Sequence, residues 1–254
     1  MRSYKNTLKQ VLSETFTGLI WKIKINEETG VMGIESRNSD LKQVAFSILN
    51  FQSGKINFKE KTYDEIWNLS LAYIGKENLI INGYEHSDSP ANKGIMSVRI
   101  SDGGVNWQKF NVSLNHVREE GLEVYDSKIQ PRKYFWIDHL SAETIASPDQ
   151  NTPVRSSIIL PEVTDSFVVP EFIIHQKISG EFFFLSYKNI RFISFHEVID
   201  NFMHQRLIVY QEDTILLDDI LISGIQKLQP EAFFIQQNHL FYIRNKKELI
   251  SYLV

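Results

Sequence analysis

The chain contains no cysteine, which removes disulfides, thiolate metal sites and cysteine nucleophiles together. It also lacks a surplus of positive charge. With 27 Lys and Arg against 31 Asp and Glu, the formal net charge is −4, whereas a nucleic-acid binder carries a basic excess or a basic stripe. The short run Arg244-Asn245-Lys246-Lys247-Glu248 reads as a solvated turn. No stretch approaches the roughly 20 apolar residues needed to span a bilayer, and Met1 to Gln10 lacks the apolar segment of a secretory signal. The expectations are a cytoplasmic location, no nucleic-acid partner and no membrane partner.

Signature motifs are equally scarce. There is no Gly-x-Ser-x-Gly elbow, phosphate-cradling glycine loop or dinucleotide fingerprint, and Gly103-Gly104 reads as a hairpin turn. The 7 histidines, His86, His116, His139, His175, His196, His204 and His239, show no ligand spacing, so neither a metal nor a cofactor is expected. The adjacent carboxylates Glu27-Glu28, Glu119-Glu120 and Asp218-Asp219 point to opposite faces if they lie on strands, which keeps each pair from sharing one substrate.

What the chain does have is strand pattern and rings. Its 17 Phe and 10 Tyr suit pleated, half-buried surfaces. Leu19, Trp21, Ile23 and Ile25 alternate with Lys22 and Lys24, and a Glu27-Glu28-Thr29-Gly30 turn leads to Val31, Met32 and Ile34. Val44 to Phe51 and Ile56 to Phe58 flank a Gln52-Ser53-Gly54-Lys55 turn. The same theme recurs at Phe182 to Tyr187, Ile190 to Phe195, Leu207 to Tyr210, Ile215 to Leu217, Phe233 to Gln236, Leu240 to Ile243 and Leu249 to Leu253.

A period runs through these segments. Phe46 to Phe58 lies ungapped over Ile95 to Trp107 at an offset of 49 (103 − 54), with Gly, Asn and a terminal ring coinciding. A second register sets Asn78 to Asn82 against Lys133 to Asp138 at an offset of about 55. A unit of about 50 residues with four short strands is the size of a propeller blade. The expectation is one all-β domain over residues 1–254, a small β-propeller of about five four-stranded blades, with a β-sandwich as the alternative.

The segment Lys93 to Trp107 resembles the repeat of quinoprotein-like (PQQ-repeat) propellers, in which a glycine-led strand, an Asp-x-x-Gly type turn and a strand ending in Trp recur. That resemblance implies a packing role for Trp107. The chain as a whole also resembles an uncharacterised Bacteroidetes-type family of unknown function, which implies no activity. It departs from quinoprotein dehydrogenases in having no vicinal cysteine pair and in its length, so no quinone is expected.

Ser194-Phe195-His196-Glu197 matches a capping box, and Val198, Ile199, Phe202 and Met203 follow at helical spacing, which predicts a short helix near residues 195–204. Leu8, Val11, Leu12 and Phe16 fit either a helix or a strand. The polar loop Gly83 to Gly94 supplies His86 and Asp88 as candidate binding residues, and His116, Arg118, Asp138 and His139 join them from neighbouring units. No catalytic residue is assigned. The functional expectation is a non-enzymatic binding or scaffold propeller, with a protein or small polar ligand at one rim. The alternative is a hydrolase or lyase using the same groups as acid, base or anion clamp at the mouth of a central channel.

Overall fold

The computed structural model describes residues 7–64, 67–84, 92–148, 157–164, 170–174, 176–230 and 232–254. The chain divides into two compact units, Phe16–Arg155 and Met1–Thr15 with Ser156–Val254. Strand β1 (Lys9–Thr15) precedes the first unit, whose first sheet is β2 (Leu19–Asn26), β3 (Val31–Asn38), β4 (Gln43–Asn50) and β5 (Ile56–Lys61). The second sheet is β6 (Leu69–Ile74), β7 (Asn78–Tyr84), β8 (Asn92–Arg99) and β9 (Val105–Lys109). The third is β10 (Val112–Arg118), β11 (Gly121–Asp126), β12 (Tyr134–Ile137) and β13 (Thr144–Ile145). Each is an antiparallel meander whose spatial order follows the sequence.

In the other unit, β14 (Glu162–Thr164), α1 (Glu171–Ile174), β15 (Ile178–Tyr187), β16 (Ile190–Ile199), β17 (Phe202–Gln211) and β18 (Thr214–Ile225) supply a five-stranded sheet in the order β14-β15-β16-β17-β18. The last sheet takes β19 (Phe233–Gln236), β20 (His239–Arg244) and β21 (Glu248–Leu253) and is completed by β1 against β21. The N-terminal strand thus closes the C-terminal sheet, and the segment that fitted either a helix or a strand is a strand over Lys9–Thr15. Among the described residues there are five sheets of blade type, so the all-β expectation holds, whereas a sandwich would gather its strands into two.

Burial explains the sequence pattern. β3 and β4, inside their sheet, are buried on both faces over Val31–Ser36 and Val44–Leu49, which is why they read as near-continuous apolar runs. Phe46, Ile48, Leu71, Leu79, Ile81 and Val98 join the first and second sheets in one core, and Ile80, Ile95, Leu122, Val124 and Ile137 join the second and third in another. In the second unit, Phe192, Leu207, Val209 and Leu217 pack with Phe233, Leu240, Tyr242 and Ile250.

The 49-residue period is reproduced by the backbone. β8 and β9 begin 49 residues after β4 and β5, at 92 against 43 and at 105 against 56. The two turns match bond for bond. Asn50 N donates to Lys55 O at 2.8 Å and Gly54 N to Asn50 O at 2.9 Å, while Arg99 N donates to Gly104 O at 2.8 Å and Gly103 N to Arg99 O at 2.9 Å. Gly54 and Gly103 have φ of 71° and 72°, a left-handed conformation that glycine adopts without a Cβ clash. The second register is corrected: Asn78–Tyr84 is the second strand of its sheet and Tyr134–Ile137 the third, so a shared apolar-then-polar pattern had paired non-equivalent strands.

The predicted helix at residues 195–204 is also corrected. This stretch is the β16–β17 hairpin, with Val198 opposite Met203 and Ile199 opposite Phe202. Its two turn residues, Asp200 and Asn201, have φ of 50° and 66°, the signature of a type I′ turn. Apolar pairs flanking a two-residue turn produce the 198, 199, 202, 203 spacing that a helix also produces. The short helix that does occur among the described residues is α1.

Candidate functional site

The first strands of the three sheets in the Phe16–Arg155 unit share one irregularity. β2 is bulged between Ile20 and Lys22, β6 between Leu71 and Tyr73, and β10 between Leu114 and His116. The residues that follow the bulges, Lys22, Tyr73 and His116, face Glu35, Ile80 and Glu123 on the second strand of each sheet. A bulge places two residues opposite one and re-aims the side chains that follow. Asn115, the extra residue of its bulge, and His116 both line one cleft. The expected apolar face of Leu19, Trp21, Ile23 and Ile25 is broken in the same way: Trp21, the extra residue, is 63% exposed.

These strands border a cleft of about 450 Å³ whose polar lining is Lys22, Ser70, Asn82, Tyr84, Asn115 and His116. Lys22 Nζ donates to Ser70 Oγ at 2.7 Å, and Ser70 Oγ donates to Glu35 Oε2 at 3.1 Å. Glu35 is wholly buried; its Oε2 also accepts Leu71 N at 2.7 Å, and its Oε1 accepts Arg37 Nε at 2.7 Å. Arg37 Nη2 donates to Leu69 O at 2.9 Å. The guanidinium of Arg37 lies 5.3 Å from the Trp21 ring centre and 5.5 Å from that of Trp67. A lysine, a serine, two amides, a phenol and an imidazole can bind and orient a small polar molecule.

Of the residues expected from sequence, the structure describes His116, Arg118, Asp138 and His139. His116 is exposed and lines the cleft. Arg118, two residues on, lies 5.9 Å from the Trp136 ring centre. Asp138 closes its own turn, accepting Leu140 N at 2.9 Å and Ser141 N at 2.8 Å, and the Ser141 N–H is the main reason its carboxyl titrates below the usual range.

His139 is buried, its ring stacked on Tyr73 with centres 4.9 Å apart. Its Nε2 lies 2.9 Å from Glu119 O and must donate there, while Nδ1 has no hydrogen-bond partner. Burial pushes its pKa down, against the pull of the Glu119 carbonyl and of Asp138 and Glu120. The His139 carbonyl gathers Asn78 Nδ2, Ser97 Oγ and Trp107 Nε1 at 2.7, 3.1 and 3.1 Å, so this residue joins the second and third sheets. The Trp107 ring is partly buried against the core shared by the second and third sheets. His86 and Asp88 lie outside the described residues.

Lys22, Ser70 and Glu35 escaped the sequence reading. Lys22 passed for a solvent-facing residue of an alternating strand. The available signal was Glu35, a carboxylate continuing the apolar run that starts at Val31. Asp218 and Asp219 do face apart: Asp218 pairs with Arg206 at 2.6 Å, while Asp219 meets Arg244 at 3.3 Å and accepts the Tyr242 hydroxyl at 2.6 Å. Among the described residues no group of three or more His, Asp or Glu is placed to hold a metal ion, and no helix is long and apolar enough to cross a membrane.

Residues 25–107 match a family described as a domain of unknown function (DUF4905). The matched stretch runs from the end of β2 through most of β9, so it contains Glu35, Arg37, Ser70, Asn82 and Tyr84 but not Lys22, Asn115 or His116. No curated protein matches the chain.

Proposed function

We propose that the chain is a binding module rather than a catalyst, and that it holds a small polar ligand in the cleft beside β2, β6 and β10. The observation that carries this reading is a bulge in the first strand of each of three successive sheets, with residues of all three strands lining a single cleft. Bulges are over-represented at sheet edges and next to active sites, where they re-aim a side chain that a regular strand would turn away. A concave site with a few converging polar groups is where small molecules bind.

A hydrolase or lyase would need an acid and a base converging on the ligand. Of the described residues expected to serve, His116 reaches the cleft. Asp138 is engaged with its own turn, and the His139 ring is engaged with Tyr73 and Glu119.

The test is nuclear magnetic resonance titration of the labelled chain with a panel of sugars, amino acids and hydroxy acids at millimolar concentration. Shifts gathered at Ser70, Asn82, Tyr84, Asn115 and His116 support the reading. A panel that leaves these residues unmoved, or moves them no more than the remaining surface, overturns it. Turnover of any ligand that binds there would restore the enzymatic alternative.

A further inference from the structure

We infer that the cleft receives a carboxylate and that Lys22 is its anchor, an inference that rests on the cleft being the binding site. The Lys22 ammonium is part-buried and donates to Ser70 Oγ at 2.7 Å, a neutral partner. Among the described residues no carboxylate forms an ion pair with it.

The surrounding hydrogen bonds explain why that charge stays uncompensated. Glu35 is the acid closest along the chain of contacts, but its negative charge is matched by Arg37, which holds Oε1 at 2.7 Å. Its Oε2 is occupied by Leu71 N and by the Ser70 hydroxyl. Because Ser70 gives its proton to Glu35, it meets Lys22 with a lone pair, which fixes the ammonium in direction and leaves two of its N–H groups for a ligand. Glu35, Arg37 and Ser70 are therefore positioning residues. Lys22 carries the unbalanced charge. A partly desolvated ammonium without a counter-ion is unfavourable, and an anionic ligand that forms a charge-assisted hydrogen bond relieves it.

The lining favours a single negative charge. Apart from Lys22, its polar groups are amides, hydroxyls and one imidazole, and no arginine lies among them. Asn115 Nδ2 holds the Glu123 carboxylate, which adds negative charge on the β10–β11 side. A carboxylate matches one ammonium. A phosphate dianion would carry surplus charge into a site that already borders Glu123.

The experiment compares acids with their neutral amides, lactate with lactamide and glucuronate with glucuronamide, by calorimetric and resonance titration of the full chain. The acids are expected to bind about tenfold tighter than the amides, the effect of one charge-assisted hydrogen bond. Lys22→Met and Lys22→Gln should abolish the preference, and Ser70→Ala should weaken acid binding while keeping the preference. Amides that bind as tightly as acids, or a preference that survives Lys22→Met and Lys22→Gln with the fold intact by circular dichroism, overturn the inference and leave the cleft reading standing. If neither acids nor amides disturb the cleft, the cleft reading fails and this inference fails with it.

Discussion

The Leu71 N–H, on the edge strand of the second sheet, donates to the carboxylate of Glu35 in the first sheet at 2.7 Å. Two residues along each strand, Arg37 returns the pattern by donating to the Leu69 carbonyl at 2.9 Å. Side chains from alternate positions of β3 thus supply the donor and acceptor that a neighbouring strand would have supplied, and the edge of β6 is covered. Removing Glu35 leaves Arg37, Ser70 and Leu71 N without their acceptor. Glu35→Ala should cost about 3 kcal/mol in urea unfolding, the scale for breaking a buried ion pair. The Glu35→Ala/Arg37→Ala double variant should cost clearly less than the two single changes added together, since it strands no charge. Strict additivity would show that the pair is not coupled.

Two histidines are built to stay neutral, and the sign of their pH effect follows. His139 donates from Nε2 and has no acceptor at Nδ1; His196 Nε2 accepts Gln229 N at 3.1 Å, so a proton there would oppose an N–H. Burial lowers the pKa of both from 6.5. Above that value folded and unfolded chains are alike. As pH falls below it, the unfolded chain takes up protons that the folded chain refuses, so stability drops. Urea midpoints should fall between pH 7 and about pH 5.5, and His139→Gln should flatten part of that slope. An unchanged slope would show that His139 titrates alike in both states.

The parts of the fold that were legible in the sequence are those fixed by local chemistry. Gly54 and Gly103 occupy matching left-handed positions, so the turn repeated in sequence because the backbone repeats. The helix at 195–204 failed because periodicity alone cannot separate one helical turn from two strand ends meeting at Asp200-Asn201. The cleft was illegible for a different reason. A bulge is set by register against a neighbouring strand, and nothing in Ile20-Trp21-Lys22 announces that Trp21 faces solvent. His139 was legible as a polar residue after a strand, but not its burial, which depends on Tyr73 in another sheet.

The hairpin tip gives a direct check on that correction. Asn201 has φ of 66°, where an alanine Cβ meets the following carbonyl and glycine meets nothing. Asn201→Ala should destabilise the chain by about 1 kcal/mol, and Asn201→Gly should be neutral or mildly stabilising. A helix would invert the order, because alanine is the better helix former. Thermal or urea unfolding of the two variants decides it.

The His139 carbonyl provides the last prediction, since it has three donors and a carbonyl oxygen has two lone pairs. Asn78 is the closest at 2.7 Å and is buried, and it also donates to Ser97 Oγ at 2.9 Å; Trp107 Nε1 lies farther off at 3.1 Å and is partly exposed. Trp107→Phe removes the outermost donor while leaving a ring against Ile80, Ile95 and Leu122, so it should cost about 1 kcal/mol. Asn78→Ala removes two hydrogen bonds at once and opens a buried space, and should cost about 2 to 3 kcal/mol. If the carbonyl is satisfied redundantly, the double variant should cost more than the sum, because the last strong acceptor contact then rests on Ser97 alone. An additive double variant would mean that Asn78 and Trp107 act independently on this carbonyl.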